Sequence, residues 1–294
     1  MTRGLRLASA LAALLLGGGG PLAAPQVGPP PTLRLYSVNL PAVLVPGRVT
    51  PQATAAPPSA TPGAPPQRPT TYEELRRCLA VPGARCWPVP GIYRPSRPLM
   101  VAAHAELDGQ GQVTIYGKTI ELYKADGAAV RRLAVRDAAG DGIRVSHTHA
   151  ALIEDVQVSG SHDGEIDIVE GPDDGTSAFV IVRNAAIGPG RKCMLIGDPD
   201  QGQDARLVVV LDHVDFSECG VRVPKVHWAW VEIRDGTVYH WRGPRLDVQL
   251  GGRVRLKGTT WLAGPESLPG YYLPTGGSVE DLGGNVYRPW KGEQ

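Results

Sequence analysis

The residues best suited to chemistry in this 294-residue chain fall in a few short stretches. "GDGIRV" carries Asp141, and "HDGEID" carries Asp163 and Asp167. Carboxylates are hard oxygen ligands and suit Ca2+, which takes six to eight oxygens at roughly 2.3–2.6 Å. On a straight strand residues four apart lie about 13 Å from each other, so an ion shared by Asp163 and Asp167 needs a bend, which Gly164 would permit. Asp141 lies 22 residues before Asp163 and would come from a neighbouring structural unit. The plainer reading of each Asp-Gly pair is a simple turn. Downstream, "GRKCMLIG" presents Arg191 and Lys192, and "ECGVRVPKVH" presents Arg222, Lys225 and His227 around Pro224. Each cation alone reads as a solvated surface charge. Grouped beside three carboxylates and one dication, they would offset the excess negative charge and give a polyanion something to bind.

Such a grouping needs a scaffold that brings distant segments together. After about Pro90 the chain runs in short alternating apolar stretches, such as Val113–Tyr116, Ala178–Val182, Leu207–Val210 and Val254–Leu256, separated by Gly, Asp and Asn. Each is strand-length. The stretches also recur, with Arg132, Asp155, Asn184, His213, Gly236, Thr259 and Gly284 in one column at spacings of 23, 29, 29, 23, 23 and 25. A period of that size without intervening helices is the mark of a solenoid, in which stacked coils share one narrow aliphatic core. An antiparallel sandwich also gives short strands and frequent turns, but it does not require a recurring column. Lys192 and Arg222, 30 residues apart, would then sit on one side of adjacent coils.

Composition fits this division. The chain holds 37 Gly and 28 Pro, only 2 Phe, 42% apolar residues and a net charge of +1. There is no collagen period, and the near-neutral balance argues against a general binder of nucleic acid or membrane surfaces. Residues 1–24 have the layout of a secretory signal peptide: Arg3 and Arg6, an apolar run from Leu7 to Leu16, then small residues. That run is too short for the roughly 20 residues of a membrane span. Residues 25–69 read as a Pro/Ala/Thr-rich linker or prosegment, and 70–294 as the folded domain. The domain opens with a capping box at Thr71 and Glu74 and a short helix burying Leu75 and Leu79. In an exported chain Cys78 pairs most naturally with Cys86 by proximity, while Cys193 and Cys219 could be paired or buried as thiols. Glycine in the coils reads as a marker of turns with φ > 0. His147, His149, His162, His213 and His240 read as surface or turn residues. Trp228 and Trp230 read as packing residues, with sugar stacking as the alternative.

The order "GDGIRV", "IEDV", "DGEIDI", "RNAAIGPGRKCMLIGDPD" and "LDHVDFSECGVRVPKVHW" resembles the pectate lyase family of polysaccharide lyases. There an Asp opens a strand, followed by "WIDH", "DGxxD", an Asn-containing strand leading into "KxMLIGxxD", and "RxPRxR". The resemblance covers roughly Thr70 to Trp261, including "LDGQG" and the capping helix. The fold it implies agrees with the period: all-β, a right-handed parallel β-helix with a short N-terminal capping helix. It further implies Ca2+ ligation by Asp141, Asp163 and Asp167, binding of a substrate carboxylate by Lys192, and proton abstraction by Arg222. Lys225 and His227 stand where the family has the second and third Arg, and are the expected further substrate contacts. Glu154, in the eroded "LIED", is at best an auxiliary acid. The expected protein is a secreted, extracellular, monomeric lyase acting on polygalacturonate or a related acidic polysaccharide by β-elimination. The alternative is a catalytically impaired β-helix that binds acidic glycans or serves as an adhesion module. A guanidinium is a poor base, so Arg222 would need strong positive potential nearby, and an alkaline optimum is expected.

Overall fold

The computed structural model describes residues 65–200 and 207–291. The expected signal segment, and residues 25–64 of the expected linker, lie outside the described residues. The helix Tyr72–Leu79 starts at a complete capping box: Glu74 N donates to the Thr71 hydroxyl, and the Glu74 carboxylate accepts from Thr71 N at 3.2 Å. Its buried face, Leu75, Cys78 and Leu79, joins the core, and Cys78 is bonded to Cys86.

The rest is the expected parallel β-helix. Successive coils add one long strand or two short ones to a large sheet and further strands to a small sheet, and the strands pair in parallel with their counterparts one coil away. The core is a set of stacked aliphatic rows. One runs Leu107, Val130, Ile153, Val182, Leu211, Ile233, Leu256, each paired with the next and each nearly inaccessible to solvent. The small sheet stacks Leu99, Ile120, Ile143, Ile166 and Met194 in the same way. Burial of each such side chain contributes about 1.5–3 kcal/mol relative to exposure, so the stack of coils, rather than any single coil, supplies the stability.

The long strands of the large sheet bend at one residue with left-handed backbone: Arg132, Asp155, Asn184 and His213, with φ of 50 to 54°. These four occupy the column read from the sequence. The next members are Asp235 and Gly258, at φ 48 and 64°, rather than Gly236 and Thr259. The coil between His213 and Asp235 is 22 residues long, so the alignment slips by one. Asp takes this bend because its short polar side chain tolerates left-handed backbone. Several glycines are present for a different reason from the expected turns. Neither Gly142 nor Gly164 has a positive φ; each lies where a Cβ would collide with a neighbour.

Candidate active site

The acidic trio comes from two adjacent coils at the corner that leads into the small sheet. Asp141 lies just before the strand Ile143–Ser146, and Asp163 just before the strand Gly164–Ile168, which carries Asp167. Backbone bonds lock the two coils in register here: Asp163 N donates to Gly140 O at 3.2 Å, and Gly142 N to Gly164 O at 2.9 Å. The Asp141 carboxylate accepts from Gly164 N at 2.9 Å. Asp167 folds back over the same glycine, so closely that a Cβ on Gly164 would overlap its carboxylate. Asp141 and Asp167 therefore converge on Gly164 from two sides, with Asp163 adjacent in sequence. Convergence is achieved by close approach over a residue with no side chain, where the sequence had pointed to a bend.

The next two coils bring the cations. Lys192, in the strand Gly190–Ile196, is in register with Gly164 and ion-paired with Asp163. Arg222 precedes the strand Lys225–His227, its carbonyl accepts from Met194 N at 2.9 Å, and its guanidinium reaches Asp167 Oδ2 at 3.2 Å. Cys193 is bonded to Cys219, which ties the coil of Lys192 to the coil of Arg222 next to both residues. All five central residues, Asp141, Asp163, Asp167, Lys192 and Arg222, thus meet on one corner.

The electrostatics are those of crowded carboxylates. Burial, then the charge of Asp141, pushes the Asp167 carboxyl up to about 7, against the opposing pull of Arg222 and the Leu195 N–H. Asp163, half exposed, is held below the usual carboxylate range, chiefly by Lys192. Each of the three carboxylates has a cationic partner, Asp141 with Arg144 at 3.4 Å, Asp163 with Lys192 and Asp167 with Arg222 at 3.2 Å, so burial rather than lack of counter-charge is the main cause of the raised Asp167 value. The donors are hard oxygens, the type that a divalent cation such as Ca2+ takes, although among the described residues these three do not bring one oxygen each within 4.8 Å of one another. Asp141, Asp163 and Asp167 are the residues that could hold it.

Lys225 lies further along the outer face of the small sheet, in the register row Arg144, Asp167, Leu195, Lys225, Asp247, and pairs with Asp247 at 3.4 Å. His227 is 4% exposed, with neither ring nitrogen hydrogen-bonded among the described residues. Burial and then Lys225 hold its pKa below the ordinary value. Glu154 is not near the trio. It belongs to a charge ladder on the outer face of the large sheet, Asp108, Arg131, Glu154, Arg183, Asp212, Arg234, where it is ion-paired with Arg183 and Arg131. Trp228 lies against Gly251 at a corner, while Trp230 faces Arg253 and Arg255 on the large sheet, so they do not share a face. Asp212, His213 and Asp235 bring one donor atom each within 4.8 Å of one another. That group is at the bend of the large sheet and separate from the trio. The sequence reading also missed how fully His147 and His149 are engaged: both sit between pairs of carboxylates.

No protein-family profile matches the chain, and no curated protein sequence does. Solved structures do match, and many of them are pectate lyases. A Bacillus subtilis pectate lyase variant superposes with a TM-score of 0.51 at 12% identity, over 67% of this chain and 59% of that one. A thermostable pectate lyase gives 0.53 at 14% identity, over 66% and 57%. A pectate lyase from a Paenibacillus species gives 0.53 at 10% identity, over 69% and 72%. The chain therefore spans less than two thirds of the length of the first two. The fold is that of these pectate lyases, and at such identities the likeness is one of fold.

Proposed function

We propose that this chain is a Ca2+-dependent polysaccharide lyase that cleaves polygalacturonate or a related uronan by β-elimination. The observation that carries the reading is the meeting of Asp141, Asp163 and Asp167 with Lys192 and Arg222 on one corner of four successive coils. Sequence motifs and fold point the same way.

In this reading Asp141, Asp163 and Asp167 hold the cation. When bound, Ca2+ supplies positive charge beside the uronate carboxylate, which lowers the cost of the negative charge that develops there. Lys192 binds the same carboxylate. Arg222 removes the C5 proton, which is α to that carboxylate; the C5–H electron pair becomes the C4–C5 double bond as the C4–O bond breaks. The departing oxygen takes a proton from solvent. Asp167 is ion-paired with Arg222 at 3.2 Å. A base role for Arg222 thus requires the Asp167 charge to be engaged elsewhere. Lys225, held by Asp247, is a further contact for the chain of sugars, and His227 shapes the wall beneath it. Two disulfides fit an exported protein, since such bonds persist in oxidising compartments. Among the described residues no helix is long and apolar enough to cross a membrane.

The burial of His227, with Lys225 already paired, is the observation that favours binding without turnover. Arg222→Ala separates the readings. A lyase loses product formation by at least about 100-fold while retaining Ca2+ and uronan binding. A binding module forms no product before or after the change.

A further inference from the structure

The strand Gly164–Ile168 runs into a loop much longer than its counterpart one coil earlier. Nine residues, 169–177, separate Ile168 from Ala178, against three between Ser146 and Ala150. The loop lies back on the two preceding coils through a cluster of charged groups. His149 Nδ1 meets Asp126 Oδ2 at 2.8 Å, and its Nε2 meets Asp174 Oδ2 at 3.0 Å. His147 Nε2 meets Glu170 Oε2 at 2.8 Å, and its Nδ1 meets Asp173 Oδ1 at 2.6 Å. The carboxylates are themselves held in place. Asp126 also accepts from His149 N at 2.7 Å, and Asp174 accepts from Thr176 N at 2.9 Å and the Thr176 hydroxyl at 2.7 Å. Asp173 accepts from Lys124 Nζ at 2.8 Å. The other neighbours are Arg144, 4.0 Å from Glu170, and the Tyr123 ring, edge-on to His147.

Each imidazole therefore faces a carboxylate at both nitrogens. An ionised carboxylate only accepts, and a neutral imidazole has one N–H. Both contacts are hydrogen bonds only when the ring carries two protons. Charge counting agrees in sign: Asp126, Glu170, Asp173 and Asp174 face Lys124 and the two rings, Arg144 is shared with Asp141 at 3.4 Å, and neutral rings leave the cluster with excess negative charge.

We propose that residues 171–177 form a pH-released strap, held on the preceding coils by protonated His149 and set free when that ring loses a proton, while Val169 and Glu170 stay tied by backbone bonds to Val145 and His147. The hydrogen bond that His149 donates to Asp174, then the one it donates to Asp126, holds its pKa above the ordinary value. The His149 tie is complete below about 6.5, the value of a free imidazole, and is lost as pH rises through the raised value. The strap follows closely on the strand of Asp167, and it does not depend on the chain being a lyase.

The test is hydrogen exchange of the full chain, followed by mass spectrometry of peptides spanning 171–178, with rates corrected for the intrinsic effect of pH. Between about pH 5.5 and pH 8.5 protection of the strap should fall by at least ~10-fold, while the strand Ala178–Ile187 changes little. His147→Gln with His149→Gln should give a strap whose protection no longer varies with pH. Asp174→Asn, a change at an exposed carboxylate, should lower protection at acidic pH toward the native alkaline level. Constant protection in the native protein, or an undiminished pH response in the double-histidine variant, overturns the proposal.

Discussion

Gly164 sets the geometry of the site. Its amide fixes Asp141, and its lack of a side chain lets Asp167 fold over it. Gly164→Ala should therefore weaken Ca2+ binding by at least ~10-fold in a calorimetric titration, since one ligand must move by the width of a methyl group. Asp167 has a pH signature of its own in chelator-treated protein. Its folded pKa, near 7, lies above the unfolded value of a free Asp, so the fold binds this proton more tightly and loses stability as pH rises from about 4 to 7. Asp167→Asn removes that penalty, and should stabilise the cation-free protein at pH 8 by about 2–4 kcal/mol in denaturant unfolding while leaving it unchanged below pH 4. The acidic trio, Lys192 and Arg222 were legible as a group because residue type and spacing both pointed to one corner. The purpose of Gly164 was not, because close approach of a side chain four residues away leaves no mark in the sequence. His147 and His149 were passed over for a similar reason: their carboxylate partners come from 23 to 26 residues away, on both sides.

At the scale of elements, period and polarity decide the structure. Apolar stretches such as Ala178–Val182 and Val254–Leu256 were readable as strands, and so was the bend column from Arg132 to His213, but the row from Leu107 to Leu256 emerges only from the register of the strands. The column failed at Gly236 and Thr259 because the coil from His213 to Asp235 is one residue shorter than the 23 expected, so the left-handed bends fall one residue earlier, at Asp235 and Gly258. Glu154 illustrates a different error: a motif position proved to be one rung of an ion ladder, identifiable only once Arg131 and Arg183 are known to flank it. The stacked row makes a direct prediction. Ile153→Ala, at the centre of the row, should cost about 2–5 kcal/mol in denaturant unfolding, because the coils on either side hold its walls apart. At the first coil, Thr71→Ala removes the cap of the helix Tyr72–Leu79, and about 1 kcal/mol should be lost.

For the whole molecule, function depends on coils staying in register, since no single coil contains the site. Asp141, the Asp163–Asp167 pair, Lys192 and Arg222 arrive on four successive turns, and Cys193–Cys219 fastens the last two together. Replacing both cysteines by serine should lower stability by about 3 kcal/mol, as expected for a closed loop of this length, measured against the native protein under non-reducing conditions. The coil architecture also divides the molecule electrically: a ladder of alternating charges runs along the large sheet, while the buried carboxyl pushed up to about 7, Asp167, lies at the corner of the small one beside Arg222. The decisive measurement is the ultraviolet absorbance of unsaturated oligouronides released from polygalacturonate at alkaline pH, with added Ca2+ and again with excess chelator. Product that appears with Ca2+ and vanishes with chelator is the predicted result. No product under either condition, or product indifferent to the chelator, would contradict a Ca2+-dependent lyase.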